Sequence, residues 1–166
     1  GAAVLWLNWR EQFGGLRAAL YAFFHAVSAF CNAGFDLFTG DPRLAGGIPN
    51  DNVTLGVFAV LIVLGGLGIP VLGNFIWERR RLTLHTRITL VVYAVLIVLG
   101  AAGFFVAEAR EGGTLSSLPT ARALVFSAFQ SVSARTAGFA ALPNFESLSA
   151  ASQWLMIGLM LIGCAP

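Results

Sequence analysis

Two short segments of this sequence repeat one arrangement of polar and small residues. They are residues 24–35 (FHAVSAFCNAGF) and residues 129–139 (FQSVSARTAGF), and each ends in Ala-Gly-Phe. Each reads as a half-polar helix that is too short to cross a bilayer, followed by a turn of small residues. Glycine allows the unusual backbone angles that turn successive carbonyl oxygens toward one axis. Such oxygens can coordinate a partly dehydrated monovalent cation without trapping it.

The residues predicted to line this cation path are the four that end at each repeated glycine. They are Cys31, Asn32, Ala33 and Gly34 in the first copy, and Arg135, Thr136, Ala137 and Gly138 in the second. The helix before each turn would aim its partly negative C-terminal end at the path, which favours a cation. A single Ala-Gly-Phe would equally suit a helix cap or a helix-packing contact. Two copies favour the ion pathway.

The composition is that of an integral membrane protein. Hydrophobic residues make up 57% of the chain and charged residues 11%, compared with roughly 25% charged residues in soluble domains. The net charge of +2 is small and dispersed, so we predict no nucleic-acid partner. Cys31 and Cys164 lack the spacing of a disulfide or metal framework.

Long apolar segments separate and flank the two copies. Residues 53–77 and 88–107 contain no charged residue, and each is long enough for the roughly 20 residues of a transmembrane helix. Residues 1–9 read as the end of another apolar helix, and the stretch from about 147 reads as the start of one. We therefore expect the chain to be a piece of a longer protein. Polar residues interrupt residues 18–35, which favours a segment that enters the membrane and returns.

The arginines predict the orientation of these helices. Four arginines lie within residues 78–87, and the positive-inside rule places this connection in the cytoplasm. Both glycine turns then lie toward the outside, near segments 36–52 and 108–122. Acidic residues in these outer segments either concentrate cations at the mouth of the path or are simply solvated. They are Asp36, Asp41, Glu108 and Glu111.

Over its whole length the chain resembles the Trk/Ktr/HKT superfamily of potassium transporters, most closely the bacterial Ktr-type membrane subunit. The two repeated segments carry the resemblance, together with residues 65–70 (GGLGIP) and 84–87 (LHTR). It implies an all-α integral membrane fold of four helix–pore loop–helix repeats, arranged with pseudo-fourfold symmetry around one pore. The resemblance implies a second repeat over 1–77 with its first helix truncated, in which the pore helix and filter cover about 16–35 and the second helix about 53–77. A cytoplasmic Arg-rich loop over 78–87 follows. The third repeat covers 88–166, with its first helix at 88–107, its pore helix and filter at about 120–139, and its second helix, which is truncated, from about 147.

The same resemblance implies the function and its residues. Gly34 and Gly138 correspond to the filter glycines, and Gly163, Cys164 and Ala165 to the approach to a gating loop. The expected function is K⁺ uptake through a carbonyl filter, with or without Na⁺, and without catalysis or a cofactor in this chain. The expected location is the plasma (inner) membrane, which the protein crosses several times. The expected assembly is a homodimer on a cytoplasmic ring of nucleotide-binding regulatory subunits.

Other functions remain open from the sequence alone. A secondary transporter of alternating access also uses broken helices and internal repeats, and some relatives pass Na⁺. A membrane-embedded serine hydrolase would need a base beside a nucleophile, and His25 lies near Ser28. The chain has no Gly-x-Ser-x-Gly motif, however, and His25 corresponds to Gln130 in the second copy. We predict that both side chains form hydrogen bonds behind the filter.

Three structural roles are also predicted. We expect the side chain of Arg135 to point away from the path toward a carboxylate. The glycines within 65–70, together with Pro70, are expected to bend the helix and allow close packing. Asn74 is expected to form a hydrogen bond between helices.

Overall fold

The computed structural model describes residues 1–38, 47–77, 83–110, 112–141 and 147–163. All the regular secondary structure in these ranges is helical, which confirms the all-α prediction for them. The helices are α1 (Ala2–Phe13), α2 (Gly15–Phe30), α3 (Asn52–Gly66), α4 (Gly68–Trp77), α5 (Leu84–Glu108), α6 (Thr120–Thr136) and α7 (Ala150–Gly163).

The first three helices pack around a buried aromatic cluster. Helices α1 and α2 fold back on each other at Gly14, whose φ of 80° a glycine adopts without strain. Trp9 is fully buried and contacts the rings of Phe38 and Phe58 edge-on. Its indole N–H donates a hydrogen bond of 2.9 Å to Thr54 Oγ1 in the first turn of α3. The cluster therefore holds α3 against α1 and α2.

The apolar segment 53–77 forms two helices instead of one straight span. Helices α3 and α4 meet at an angle of 97°. Gly68 has a φ of 76°, a conformation that a residue with a side chain rarely adopts. Pro70 has no N–H to donate to the preceding turn. The predicted bend within residues 65–70 is thus present, and it is sharp enough to break the helix.

Helix α5 is continuous and contains the whole predicted span 88–107. Its 25 residues form the one unbroken helix among the described residues that is long and apolar enough to cross a membrane, and the bent pair α3–α4 would be a second. The Thr83 hydroxyl caps its first turn. Val91 and Val98 are largely exposed on its surface, as is typical of a helix that faces lipid.

Helices α5, α6 and α7 pack together as a second unit, and α6 also packs against α3. The Ser131 hydroxyl on α6 donates to the Ile97 carbonyl on α5 at 2.9 Å. Phe58 and Phe139 join the two units, with ring centroids 5.0 Å apart. Because α6 touches both units, the two repeated turns lie at their junction.

Candidate functional site

The same hydrogen bond closes both repeated turns. The Ser28 hydroxyl at the end of α2 donates to the Phe35 carbonyl at 2.8 Å. The Ser133 hydroxyl near the end of α6 donates to the Phe139 carbonyl at 2.7 Å. Each serine therefore ties the chain that leaves the turn back to the helix that enters it. Sequence reasoning assigned these serines no such role, although both copies have serine at this place.

The repeated glycines have the backbone conformation that the sequence predicted. Gly34 has a φ of 70° and Gly138 a φ of 74°, in the left-handed region that favours glycine. The two turns also meet, because a Cβ atom added to Gly34 would collide with the carbonyl oxygen of Ala137. No atom of the described residues lies within 4 Å of a Cβ added to Gly138. The structure thus brings the two glycine turns into direct contact.

The two predicted sets of filter residues differ in local structure. Helix α2 ends at Phe30, so that Cys31 and Asn32 form a turn, with φ 52° at Asn32. Helix α6 continues through Arg135 and Thr136. The second copy is one residue shorter between its serine and its glycine, so its helix runs closer to the glycine. In both copies the last carbonyls of the helix point toward the turn.

His25 positions the chain that leaves the first turn. Its Nε2 accepts a hydrogen bond of 3.1 Å from the Leu37 N–H, so Nδ1 carries the proton and donates to the Tyr21 carbonyl at 2.7 Å. The ring stacks on Phe38 with centroids 4.3 Å apart. Both ring nitrogens are therefore engaged with backbone, and Ser28 bonds elsewhere. A serine–histidine catalytic pair is not formed.

Several polar atoms behind the turns have no hydrogen-bond partner among the described residues. They include Asn32 Oδ1, Gln130 Oε1 and Thr136 Oγ1, which are all buried. Asn32 lies close to the glycines at the end of α3. His25 bonds to backbone through both ring nitrogens, whereas Gln130, at the corresponding position, leaves its side-chain oxygen without a partner among the described residues. These three oxygens can therefore accept hydrogen bonds from water or from parts of the protein outside the described residues.

Arg135 is buried but does not reach a carboxylate among the described residues. Its side chain is 1% exposed, and none of its guanidinium nitrogens has a hydrogen-bond partner there. The guanidinium carbon lies 3.4 Å from the ring centroid of Tyr93 on α5, a cation–π contact. The expected carboxylate partner is thus replaced in the described chain by an aromatic ring. Nothing in the spacing of the sequence indicated Tyr93.

The outer acidic residues have different environments. Glu108 is buried and accepts hydrogen bonds from Thr114, Ser149 and Ser152. It is therefore a structural carboxylate that joins the end of α5 to the start of α7, not a solvated group at the mouth. Asp36 is half-buried, and one of its oxygens accepts from the Phe38 N–H. Asp41 and Glu111 lie outside the described residues.

Small residues permit close packing around the site. A Cβ on Gly65 would collide with the Phe30 carbonyl at the end of α2, and a Cβ on Gly66 with the Tyr93 hydroxyl. Asn74 Oδ1 accepts from the Thr83 N–H at 3.1 Å, so it links α4 to the start of α5 as predicted.

The predicted gate approach is described only at its first residue. Gly163 ends α7, and an added Cβ would lie 2.8 Å from the Arg135 carbonyl oxygen. Cys164 and Ala165 lie outside the described residues. The same is true of the three consecutive arginines of the predicted cytoplasmic loop, at 79–81.

Comparison with known proteins identifies the family. Residues 3–166 match the TrkH family of cation transport proteins. The chain is 36% identical to the Ktr system potassium uptake protein B of Vibrio alginolyticus and 34% identical to that of Bacillus subtilis. It is 38% identical to the potassium/sodium uptake protein NtpJ of Enterococcus hirae. Each alignment covers 98% of this chain and 36% of the relative, so the chain spans little more than a third of these relatives' length. The chain belongs to the TrkH family of cation transport proteins, within the Trk/Ktr superfamily.

Proposed function

We propose that this chain forms two of the repeats that line the pore of a K⁺ uptake protein. The backbone carbonyls of 31–34 and 135–138 would replace part of the hydration shell of the ion. The ion would move down its electrochemical gradient, and no covalent chemistry is required. The relatives named above are potassium or potassium/sodium uptake proteins, which supports this choice of ion.

One observation carries the proposal: the two glycine turns have the same closure and touch each other. Ser28 and Ser133 make equivalent bonds, and Gly34 faces the Ala137 carbonyl. Two glycine turns with the same serine closure and in direct contact are what two neighbouring repeats of an ion filter require. A helix cap would need neither the second copy nor the contact between them.

Replacing the filter glycines in the full-length protein tests the proposal. Gly34→Ser and Gly138→Ser each add a side chain where φ is positive, which strains the carbonyls on either side. We expect weaker K⁺ affinity and stronger competition by Na⁺ in both variants. The readout is K⁺-dependent growth and uptake in a strain that lacks its own uptake systems. Gly34→Ser should have the larger effect, because its side chain also meets Ala137.

Gly56→Ser is the matched control, since Gly56 lies in α3 with no atom within 4 Å of an added Cβ. This variant should retain wild-type K⁺ affinity. Wild-type K⁺ affinity and K⁺/Na⁺ discrimination in both filter variants would exclude these glycines from the filter.

A Na⁺-permeable pore is a second candidate, because one of the relatives is a potassium/sodium uptake protein. The broken helix at Gly68 also suits an alternating-access transporter. Flux measurements on the reconstituted full-length protein separate these functions. A pore passes many ions per opening, whereas an alternating-access transporter moves a fixed number per cycle. Equal fluxes of Na⁺ and K⁺ would favour the Na⁺-permeable reading.

We further propose that the full-length protein crosses the plasma membrane several times and works as a homodimer on a cytoplasmic ring of nucleotide-binding regulatory subunits. The Ktr relatives are named as parts of a system, which fits additional subunits. Light scattering of the purified full-length protein would give the mass of the assembly, and purification from its native membrane would retain the regulatory subunits. A monomer that transports at the full rate alone would refute this assembly.

A further inference from the structure

A cavity beside the C-terminal end of α6 contains the buried guanidinium of Arg135. The cavity has a volume of about 270 Å³ and lies between α5, the end of α6, the end of α7 and the junction of α3 and α4. Arg135, Tyr93, Thr89 and His85 supply its polar side chains, and none of its lining residues in the described chain is acidic. All four of these polar side chains can donate hydrogen bonds. The cavity therefore offers donors from all four side chains and no carboxylate from the described residues, while the Thr89 and Tyr93 hydroxyls and a neutral His85 can also accept.

The cavity extends from the exposed start of α5 to the buried guanidinium of Arg135. Tyr93 is nine residues from the first residue of α5, which at about 1.5 Å per residue places the Arg135–Tyr93 contact roughly 14 Å from the start of that helix. Measured from residue 88, where the predicted span begins, the contact lies about 8 Å inside the span, well short of the centre of a hydrocarbon core about 30 Å thick. An arginine without acceptors at such a depth is costly. His85 and Ile88, which line the cavity near the start of α5, are exposed, so an anion can enter from that end of the helix.

The packing around Arg135 defines how an acceptor can approach. The Tyr93 ring covers one face of the guanidinium at 3.4 Å, and the Arg135 backbone lies against Gly163. The N–H groups of the planar guanidinium point outward in its own plane, so an acceptor must arrive edge-on. A planar oxyanion with two oxygens matches this geometry with two parallel hydrogen bonds. The buried Tyr93 hydroxyl, which has no partner among the described residues, can donate a further one.

We propose that this cavity is a binding site for a carboxylate, held edge-on by Arg135. The carboxylate comes either from an Asp or Glu side chain of the full-length protein or from a free small carboxylate anion. Its negative charge would neutralise Arg135, which lies three residues before Gly138 and would otherwise repel a cation in the turn. The inference rests on the proposed function for this last step only.

The test uses the purified full-length protein and measures its unfolding temperature as well as K⁺ uptake. Arg135→Gln removes the charge, and Arg135→Lys keeps it but loses the two-pronged geometry. We expect Arg135→Gln to lower the unfolding temperature by several degrees and to reduce uptake at least tenfold. Arg135→Lys should lose uptake to a smaller extent. Arg122→Gln is the matched control, because Arg122 is an exposed arginine on the same helix. It loses an exposed hydrogen bond to the Asn50 carbonyl and a contact with the Phe126 ring, so it should change both measurements far less than Arg135→Gln.

Two arms distinguish the sources of the carboxylate. If the anion is free, added acetate raises the unfolding temperature of the wild-type protein but not that of Arg135→Gln. If it belongs to the protein, acetate has no effect, and replacing one Asp or Glu by Lys in an Arg135→Glu background restores uptake. If Arg135→Gln does not fold, Arg135→Lys and Tyr93→Phe are carried through the same two arms.

Either of two results would overturn the site. The first is an Arg135→Gln protein as stable as Arg122→Gln. The second is the absence of both an acetate response and a restoring Asp or Glu in a complete scan, since water alone would then fill the cavity. The stability measurement does not depend on transport. A failure of the glycine variants to alter selectivity would therefore refute the proposed pore while leaving this site standing.

Discussion

The serine bonds that close the two turns lead to a quantitative prediction. Ser133 is fully buried, and its hydroxyl donates to the Phe139 carbonyl at 2.7 Å. Ser133→Ala removes this donor and leaves the carbonyl without it in a buried environment. The loss of one partner of a buried hydrogen bond costs about 1–3 kcal/mol. If this cost falls on the ion-binding form of the turn, K⁺ affinity weakens about 5- to 150-fold.

The matched control lies six residues earlier on the same helix. Ser127 is equally buried, and its hydroxyl donates to the Ala123 carbonyl at 2.8 Å, four residues back within the helix. That carbonyl belongs to the helical hydrogen-bond ladder, so Ser127→Ala leaves it paired with a backbone N–H. We expect Ser127→Ala to retain wild-type K⁺ affinity. The first copy offers a repetition of the experiment, since Ser28 bonds to the Phe35 carbonyl at 2.8 Å.

The assay is initial K⁺ uptake as a function of K⁺ concentration, with Na⁺ as competitor, in the uptake-deficient strain. Expression is checked by immunoblot of the membranes, so that a loss of protein is not read as a loss of affinity. Ser133→Ala and Ser28→Ala should both raise the K⁺ concentration for half-maximal uptake. Wild-type affinity in both variants at normal expression would show that these bonds do not control the turns. An equal loss in Ser127→Ala would show that the effect is one of general packing.

Three further predictions follow, two from the structure and one from the positions of the arginines in the sequence. Glu108→Gln places an amide N–H₂ among hydroxyl and backbone donors, and we expect the protein to be destabilised by about 2 kcal/mol or more. Thermal unfolding measures this loss, and unchanged stability would mean that the carboxylate does not hold α5 to α7. In a Cys-free background, we expect that Arg80→Cys does not react with an impermeant thiol reagent added outside intact cells, whereas Ser117→Cys, at an exposed position, does react. If only Arg80→Cys is labelled, the predicted orientation in the membrane is wrong. Gly163→Leu should lower the transport rate more than the K⁺/Na⁺ ratio, because the new side chain meets the Arg135 backbone. The control, Gly158→Leu, should not lower the rate, because Gly158 has open space around it. An altered ratio at an unchanged rate would place Gly163 in the filter.

The helices of this protein could be predicted largely from local sequence. An apolar run without charge forms α5 because length and hydropathy are properties of the run itself. The positive φ angles of Gly34 and Gly138 were equally predictable, since both glycines follow a short half-polar helix. A bend within one helix was expected from residues 65–70, but a break into two helices at an angle of 97° was not. That angle depends on which surfaces the two halves pack against.

The sequence could not predict contacts that join distant segments. The carbonyl of Ala137 faces Gly34 only because α6 packs against α3. Arg135 was expected to point toward a carboxylate, yet among the described residues its guanidinium lies on the Tyr93 ring, because α5 packs against α6. Glu108 was expected in an outer segment, either at the mouth of the path or simply solvated, but two later segments, the loop at Thr114 and the start of α7, bury it instead.

The sequence by itself thus determined the membrane character of the chain, the two repeated turns and the glycines that allow them, because each depends on residues close together along the chain. The tertiary structure alone decided which carbonyls meet, which charges are buried and which partners they have. The physical reason is that a side chain's cost of burial is set by every segment around it. Those segments are far apart in the sequence, and their spacing does not predict which of them come into contact.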